Sequence, residues 1–348
     1  MTTISNKWHT TLTDRIYHPI INFKHSIYGQ FNVQKQNLFI WIINLWLVSW
    51  LNRQLQSIMI NIIKTGRVPE HISFIMDGNR TYAKNLNMPI KKGHEAGGIT
   101  LLSLVYACKR MGVRCVSAYA FSIENFNRPK DEVDTLNNLF ADKLDEFAIR
   151  AKDFQDPLYG AKIKIVGDAT MIGDEMKRRI KRVEKITQDG EDFILYICYP
   201  YTSRNDIYHA VQRSVEQTLN NEISKDEITI KHFTENMYLE SFSNRCDLLV
   251  RTSGHKRLSD YMLWQTHENA TIDFHSGLWP DFTFIKLYLK LIKLSLYMTV
   301  QNYYETTFLS SEQVLRKKAE YYNKWRGNIN LSSLPEPPPT ISIVGRKS

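Results

Sequence analysis

One short loop, Asp77-Gly78-Asn79-Arg80, follows an apolar run and brings together a carboxylate, a residue with no side chain, an amide and a guanidinium. Asp77 is the one carboxylate of that loop and suits a divalent cation. Gly78 lets the backbone approach a ligand closely, and Asn79 and Arg80 add donors. Two other stretches share this character: SIENFNRP carries Ser122, Asn125 and Arg128, and RTSGHKRLS carries Arg251, Ser253, Arg257 and Ser259. Guanidinium forks match tetrahedral oxyanions, and the hydroxyls and amides add neutral donors. Together the residues suit more than one phosphate group, with a carboxylate for Mg²⁺.

The common nucleotide signatures are absent. The chain has no G-x-x-x-x-G-K-[ST], no G-x-G-x-x-G after its first strand, and neither the G-x-S-x-G nor the H-E-x-x-H pattern of hydrolases. The site therefore has to bind phosphate by other means.

The elements that carry these loops can be read from periodicity. Short β-branched runs at 71–77, 113–121, 162–168, 193–199, 246–252 and 270–274 read as strands. Helical patterns fall near 93–111, 130–153, 172–188, 203–220 and 231–242, and an apolar closing helix at 284–298. The alternation predicts an α/β fold: a mostly parallel central sheet of about six strands with helices on both faces. Each polar loop then follows the carboxyl end of a strand, where open α/β sheets bind ligands, so loops distant in sequence meet on one rim.

The bulk composition fits a globular chain, with 43% hydrophobic and 12% aromatic residues in 348. Four cysteines, Cys108, Cys115, Cys198 and Cys246, form no C-x-x-C pair and read as reduced core thiols. Of the net charge of +9, +6 lies in residues 1–69, where Asp14 is the only acid. That excess flanks the Trp-rich run Leu38–Leu51, too short to span a bilayer and better suited to an interfacial helix. A nucleic-acid binder would instead interleave its basic residues with aromatics on a folded face, so no nucleic acid is expected. The expected organisation is an N-terminal basic, membrane-interface segment (1–66), a catalytic domain (67–305), and a C-terminal helix with a Pro-rich tail (306–348).

The stretches HISFIMDGNR, GHEAGG, SAYAFSIENFNRP, RTSGHKRLSDYMLWQ and LWPDF, in this order over about 67–300, resemble the cis-prenyltransferases, the undecaprenyl and dehydrodolichyl diphosphate synthases. PEHISFIMDGNR, PYTSRND and RTSGH look like the fungal dehydrodolichyl subunits of the lipid-droplet kind. The resemblance implies repeated cis addition of isopentenyl diphosphate to farnesyl diphosphate, a hydrophobic tunnel for the product, and Mg²⁺ as cofactor. It implies that Asp77 holds the metal and that Gly78, Asn79 and Arg80 cradle the allylic diphosphate. His94, Ser122, Asn125 and Arg128 match the cluster that orders this diphosphate, and Arg251, Arg257 and Ser259 the residues that hold isopentenyl diphosphate. Asp77, Asn79, His94 and Asn125 are the implied catalytic set. The implied location is the cytosolic face of the endoplasmic reticulum membrane, the lipid droplet, or both.

The chain departs from the family pattern at three places. Thr81 and Ile90 stand where arginines are common, with Lys84, Lys91 and Lys92 nearby to supply charge without the fork. The tail has Gly345 and Arg346 in the reverse order of the family's Arg-x-Gly motif. The resemblance therefore implies a heteromer in which a Nogo-B receptor-like subunit supplies that motif. A non-catalytic scaffold subunit is the alternative, and the intact set Asp77, Asn79, Asn125, Arg251 and Arg257 speaks against it.

Overall fold

The β-branched runs form six strands, β1 (His71–Ile75), β2 (Cys115–Tyr119), β3 (Ala161–Val166), β4 (Phe193–Cys198), β5 (Leu248–Arg251) and β6 (Thr271–Phe274). The structure, a computed structural model, describes residues 46–308 except 155, 157, 241, 242 and 269. All strand pairings are parallel, in the order β3-β4-β2-β1-β5-β6. Every residue of β1 and of β4 is buried, so the central strands are covered on both faces, as their unalternating sequences require.

The covering helices are α1 (Trp46–Thr65), α2 (Asn79–Asn85), α3 (Ile90–Met111), α4 (Lys130–Lys152), α5 (Asp174–Thr187), α6 (Ser203–Leu219), α7 (Ile230–Glu235), α8 (Leu263–Thr266) and α9 (Phe284–Phe308). From β1 the chain proceeds to β2 on one side, whereas from β5 it proceeds to β6 on the other. The direction of winding therefore reverses between β1 and β5, which opens a crevice beyond their carboxyl ends. Ile75 pairs with Arg251 across that boundary.

Beneath the crevice Phe74 packs on Trp279 and Phe282, with ring centroids 5.4 and 6.5 Å apart. The Trp279 indole N–H donates to the Gly97 carbonyl at 2.8 Å, which ties the segment after β6 to α3. All four cysteines are buried and free, and burial pushes the Cys115 thiol up to about 12. They are packing residues with no thiolate to offer near neutral pH.

Several elements differ from expectation. β1 ends at Ile75 because the Asp77 N–H turns back to the Ile75 carbonyl at 3.0 Å, and the next seven-residue helix, α2, was hidden by its polar sequence. α7 stops at Glu235 rather than near 242: the chain turns to bury Met237 and Leu239, and the Tyr238 N–H is taken by the Asp206 carboxylate at 2.8 Å. β6 is an edge strand with Ile272 and Phe274 exposed. Of Leu38–Leu51, residues 38–45 lie outside the described residues, and the rest begin α1. α1 packs on α3: Ile60 and Ile63 are buried, and Arg110 donates to the Ser57 hydroxyl at 3.1 Å. No described helix is long and apolar enough to cross a membrane.

The chain forms two compact units. The first runs to Leu296, and the second, from Tyr297, is described only as the last turns of α9. The Pro-rich tail with Gly345 and Arg346 lies outside the described residues.

Candidate active site

Asp77 and Arg251 leave adjacent strands at the reversal point and meet in an ion pair, Nη2 to Oδ2 at 2.8 Å. Arg251 is buried, and its other terminal nitrogen donates to the Arg257 carbonyl and the Ser259 hydroxyl, each at 2.6 Å. Its Nε is buried without a partner and remains a donor for a ligand. Thr252 locks the loop: its hydroxyl donates to the Asp77 carbonyl at 2.7 Å and accepts from the Asp77 N–H at 3.1 Å. The Trp279 N–H also donates to that carbonyl, at 3.0 Å.

Gly78 has φ 109, and a Cβ there would lie 2.9 Å from the Leu278 side chain and 3.1 Å from its backbone. Glycine is thus required twice over, for the left-handed backbone and for the close approach. Asn79 is seated by a second glycine: a Cβ on Gly97 would come within 2.4 Å of the Asn79 Oδ1. The Asn79 side-chain N–H donates to the Met76 carbonyl at 3.3 Å, and its Oδ1 is buried without a partner.

A second group lies on helices. Arg80 of α2 and Arg128 before α4 both reach the Glu132 Oε1, at 3.5 and 3.0 Å. His94 of α3 faces the same group, and burial, then the Arg128 charge, lowers its pKa to about 4. It is therefore neutral at pH 7, with Nε2 buried and unpaired. Glu132 was not anticipated from the sequence, because a carboxylate on a helix surface carries no mark of the arginines it pairs with.

The remaining predicted residues are on the rim but outside these contacts. Ser122 caps the 3₁₀ turn Ile123–Asn127, its hydroxyl accepting the Glu124 N–H at 3.2 Å. Asn125 lies on that turn, and its N–H donates to the Ser122 carbonyl at 2.9 Å. Arg257 joins Arg251 only through its carbonyl and is itself exposed. A further unanticipated residue, Arg204, links two site loops by reaching Glu124 at 3.1 Å and Asp260 at 2.7 Å.

The arrangement is rich in donors and poor in carboxylates, as a receptor for two anionic groups should be. No cluster of three or more metal-binding side chains occurs among the described residues. That suits Mg²⁺, which is held by one or two carboxylates together with substrate phosphates and water and does not need a protein cage. Asp77 fits this role, since its side chain is 34% exposed and its described contacts engage only Oδ2.

The family description undecaprenyl diphosphate synthase matches residues 75–298. The dehydrodolichyl diphosphate synthase complex subunit SRT1 of Saccharomyces cerevisiae is 56% identical over 310 residues, covering 89% of this chain and 90% of the yeast protein. The human subunit DHDDS is 37% identical over 231 residues, 66% of this chain and 67% of that protein. Among solved structures, lavandulyl diphosphate synthase from Lavandula x intermedia in complex with dimethylallyl diphosphate matches with a TM-score of 0.60. It is 26% identical, and the match covers 65% of this chain and 95% of that one.

Proposed function

The chain belongs to the cis-prenyltransferase family of undecaprenyl and dehydrodolichyl diphosphate synthases, and from that premise we propose that it is the catalytic subunit of a dehydrodolichyl diphosphate synthase. In this reading it adds isopentenyl units in cis to farnesyl diphosphate, giving the long polyprenyl diphosphate from which dolichol is made. The observation that carries the reading is the Asp77–Arg251 pair at the reversal point of the sheet, backed by Ser259 and flanked by Arg80, His94 and Arg128. A subunit that only served as scaffold would need neither the pair nor the unpaired polar atoms around it.

Arg251, Arg257 and Ser259 hold the diphosphate of isopentenyl diphosphate. Gly78, Asn79, Arg80 and Arg128 hold that of the allylic substrate, with neutral His94 and Asn125 orienting it. The allylic C–O bond breaks with its electron pair leaving on the diphosphate. The isopentenyl double bond supplies the pair for the new C–C bond, and a proton then departs from the adduct to a diphosphate oxygen. Guanidinium donors stabilise charge growing on the leaving group, and alignment of the two substrates removes much of the entropic cost. Mg²⁺, held by Asp77 with the diphosphates, supplies charge neutralisation when bound.

The product explains the apolar segments. Each buried CH₂ stabilises by ~0.8 kcal/mol, so a growing polyprenyl chain is confined to a hydrophobic tunnel and then to lipid. The basic, Trp-rich N-terminal segment favours work at the endoplasmic reticulum membrane or a lipid droplet. The SRT1 and DHDDS proteins are described as subunits of a complex, which supports a second, Nogo-B receptor-like subunit here as well.

The test is incorporation of labelled isopentenyl diphosphate onto farnesyl diphosphate with Mg²⁺, with and without that subunit. We expect long product that requires the partner, and a loss of at least ~10²-fold in Asp77→Ala. Absence of product from a folded, partner-bound complex would turn the assignment to a scaffold. Titration of Mg²⁺ into the diphosphate-loaded protein, followed by calorimetry, checks the metal role of Asp77 separately from turnover.

A further inference from the structure

The turn that carries Ser259 is conformationally costly. Ser259, Asp260 and Met262 have φ of 51, 57 and 51, three non-glycine residues in the left-handed region within four positions. Side-chain-bearing residues seldom adopt this backbone, so the surroundings must hold the turn in place. On its outer side Asp260 is held by Arg204 and by the Ser203 N–H, which donates to the Asp260 carbonyl at 2.7 Å. The inner side depends on Tyr261.

Tyr261 is fully buried, stacked on Tyr119 at 4.2 Å and edge-on to Tyr201 at 5.7 Å. Its hydroxyl joins a line of buried polar groups crossing the sheet: Tyr261 to Ser73 at 2.9 Å, Ser73 to Ser117 at 3.0 Å, and Ser117 to His71 Nε2 at 2.5 Å. The Ser117 hydroxyl donates to Ser73 and the Ser73 hydroxyl donates to Tyr261. His71, kept neutral by burial with a pKa of about 4, faces Ser117 through Nε2 and the Arg245 carbonyl through Nδ1. Each hydroxyl has one proton to give, so the donations along the two serines run one way, towards Tyr261. The Tyr119 hydroxyl reaches the carbonyls of Ser259 and Tyr201 at 3.2 and 3.1 Å, which ties the stacked pair to the turn.

We propose that Tyr261 is a positioning residue for the isopentenyl diphosphate half of the site: through Ser73, Ser117 and His71 it clamps the Ser259–Met262 turn and so keeps the Ser259 hydroxyl on Arg251. This assignment rests on the transferase reading for its ligand and on the polar line for its mechanism. The one-way direction makes the cost of substitutions unequal. Tyr261→Phe leaves the Ser73 O–H buried without its acceptor. Ser73→Ala leaves Tyr261 lacking only a donor, which is the lesser loss because the Cys198 thiol also donates to it at 3.7 Å, and the double variant removes the orphaned hydroxyl altogether.

The test uses the chain with whatever subunit it purifies with, as wild type, Ser73→Ala, Tyr261→Phe and the double variant. Tyr261→Phe should raise KM for isopentenyl diphosphate about tenfold, with kcat and the allylic KM within about twofold. The double variant should return to within about threefold of wild type. Amide exchange over 257–262, measured without substrate, should quicken about tenfold in Tyr261→Phe while β4 is unchanged. Equal rises in both KM values, a double variant worse than Tyr261→Phe, or unchanged exchange in the turn would each overturn the proposal. If the wild type shows no turnover, the Kd for inorganic diphosphate replaces KM. The same order of variants would then uphold the clamp while the transferase reading fell, and a Kd indifferent to them would overturn the clamp as well.

Discussion

The two arginine groups on the rim are held in opposite ways. Arg251 leaves a strand, is 4% exposed along its side chain, and has a carboxylate, a hydroxyl and a carbonyl as acceptors. Arg80 and Arg128 sit at helix starts, share the single carboxylate of Glu132, and Arg80 is 55% exposed. Buried charge needs its full set of partners, whereas exposed pairs are weakly held and readily rearranged. The strand-borne half is therefore the more firmly fixed, and in the proposed transferase the helix-borne half would be the one to adjust to its ligand.

The sharpest way to break this contrast is to keep the charge and remove the fork. Arg251→Lys gathers its donors on one nitrogen and cannot bridge acceptors reached by the two arms of the fork, and kcat/KM should fall ~10²-fold or more. Arg128→Lys should cost several-fold only, and equal losses in steady-state assays would mean that both halves are equally fixed.

Next in size is an acid limb in stability. His71 and His94 both have pKa values lowered to about 4, against 6.5 when unfolded. The unfolded chain then takes up protons that the native one refuses. Stability is fully present above about pH 6.5 and is lost as the pH falls towards 4, on the order of 2–3 kcal/mol for each residue. His94→Gln should remove about half of the fall in Tm over that window. An unchanged fall would place the whole effect with His71 under the sheet.

The smallest effect belongs to Glu132→Gln, which frees both helix-borne arginines. We expect a three- to tenfold change in the allylic KM, shrinking as salt is raised because the Arg80 arm of the cluster is exposed and screened. A change in the isopentenyl KM instead would show that the two halves communicate through this carboxylate.

The convergence of the three loops was legible because each polar cluster follows an apolar strand, and parallel strands bring their carboxyl ends to one edge. Asp77, Arg251 and Ser259 were found in this way and are in contact. The supporting residues were not legible for physical reasons. Glu132 is one of many acids on helix surfaces, Arg204 comes from a helix start with no unusual composition, and Thr252 acts through a backbone turn that periodicity cannot report. The overlong reading of α7 came from Met237 and Leu239, whose apolar side chains continue the helical pattern although the backbone has already turned.

The ion pair between Asp77 and Arg251 also gives the resting site its own counterion. The guanidinium already neutralises the carboxylate, so a cation without an accompanying anion meets little net attraction there. A ligand that arrives carrying negative charge reverses this, because it offers Arg251 a new partner and releases the carboxylate as it enters. In the proposed transferase the pair would act as an interlock, favouring metal and diphosphate arriving together over either arriving alone.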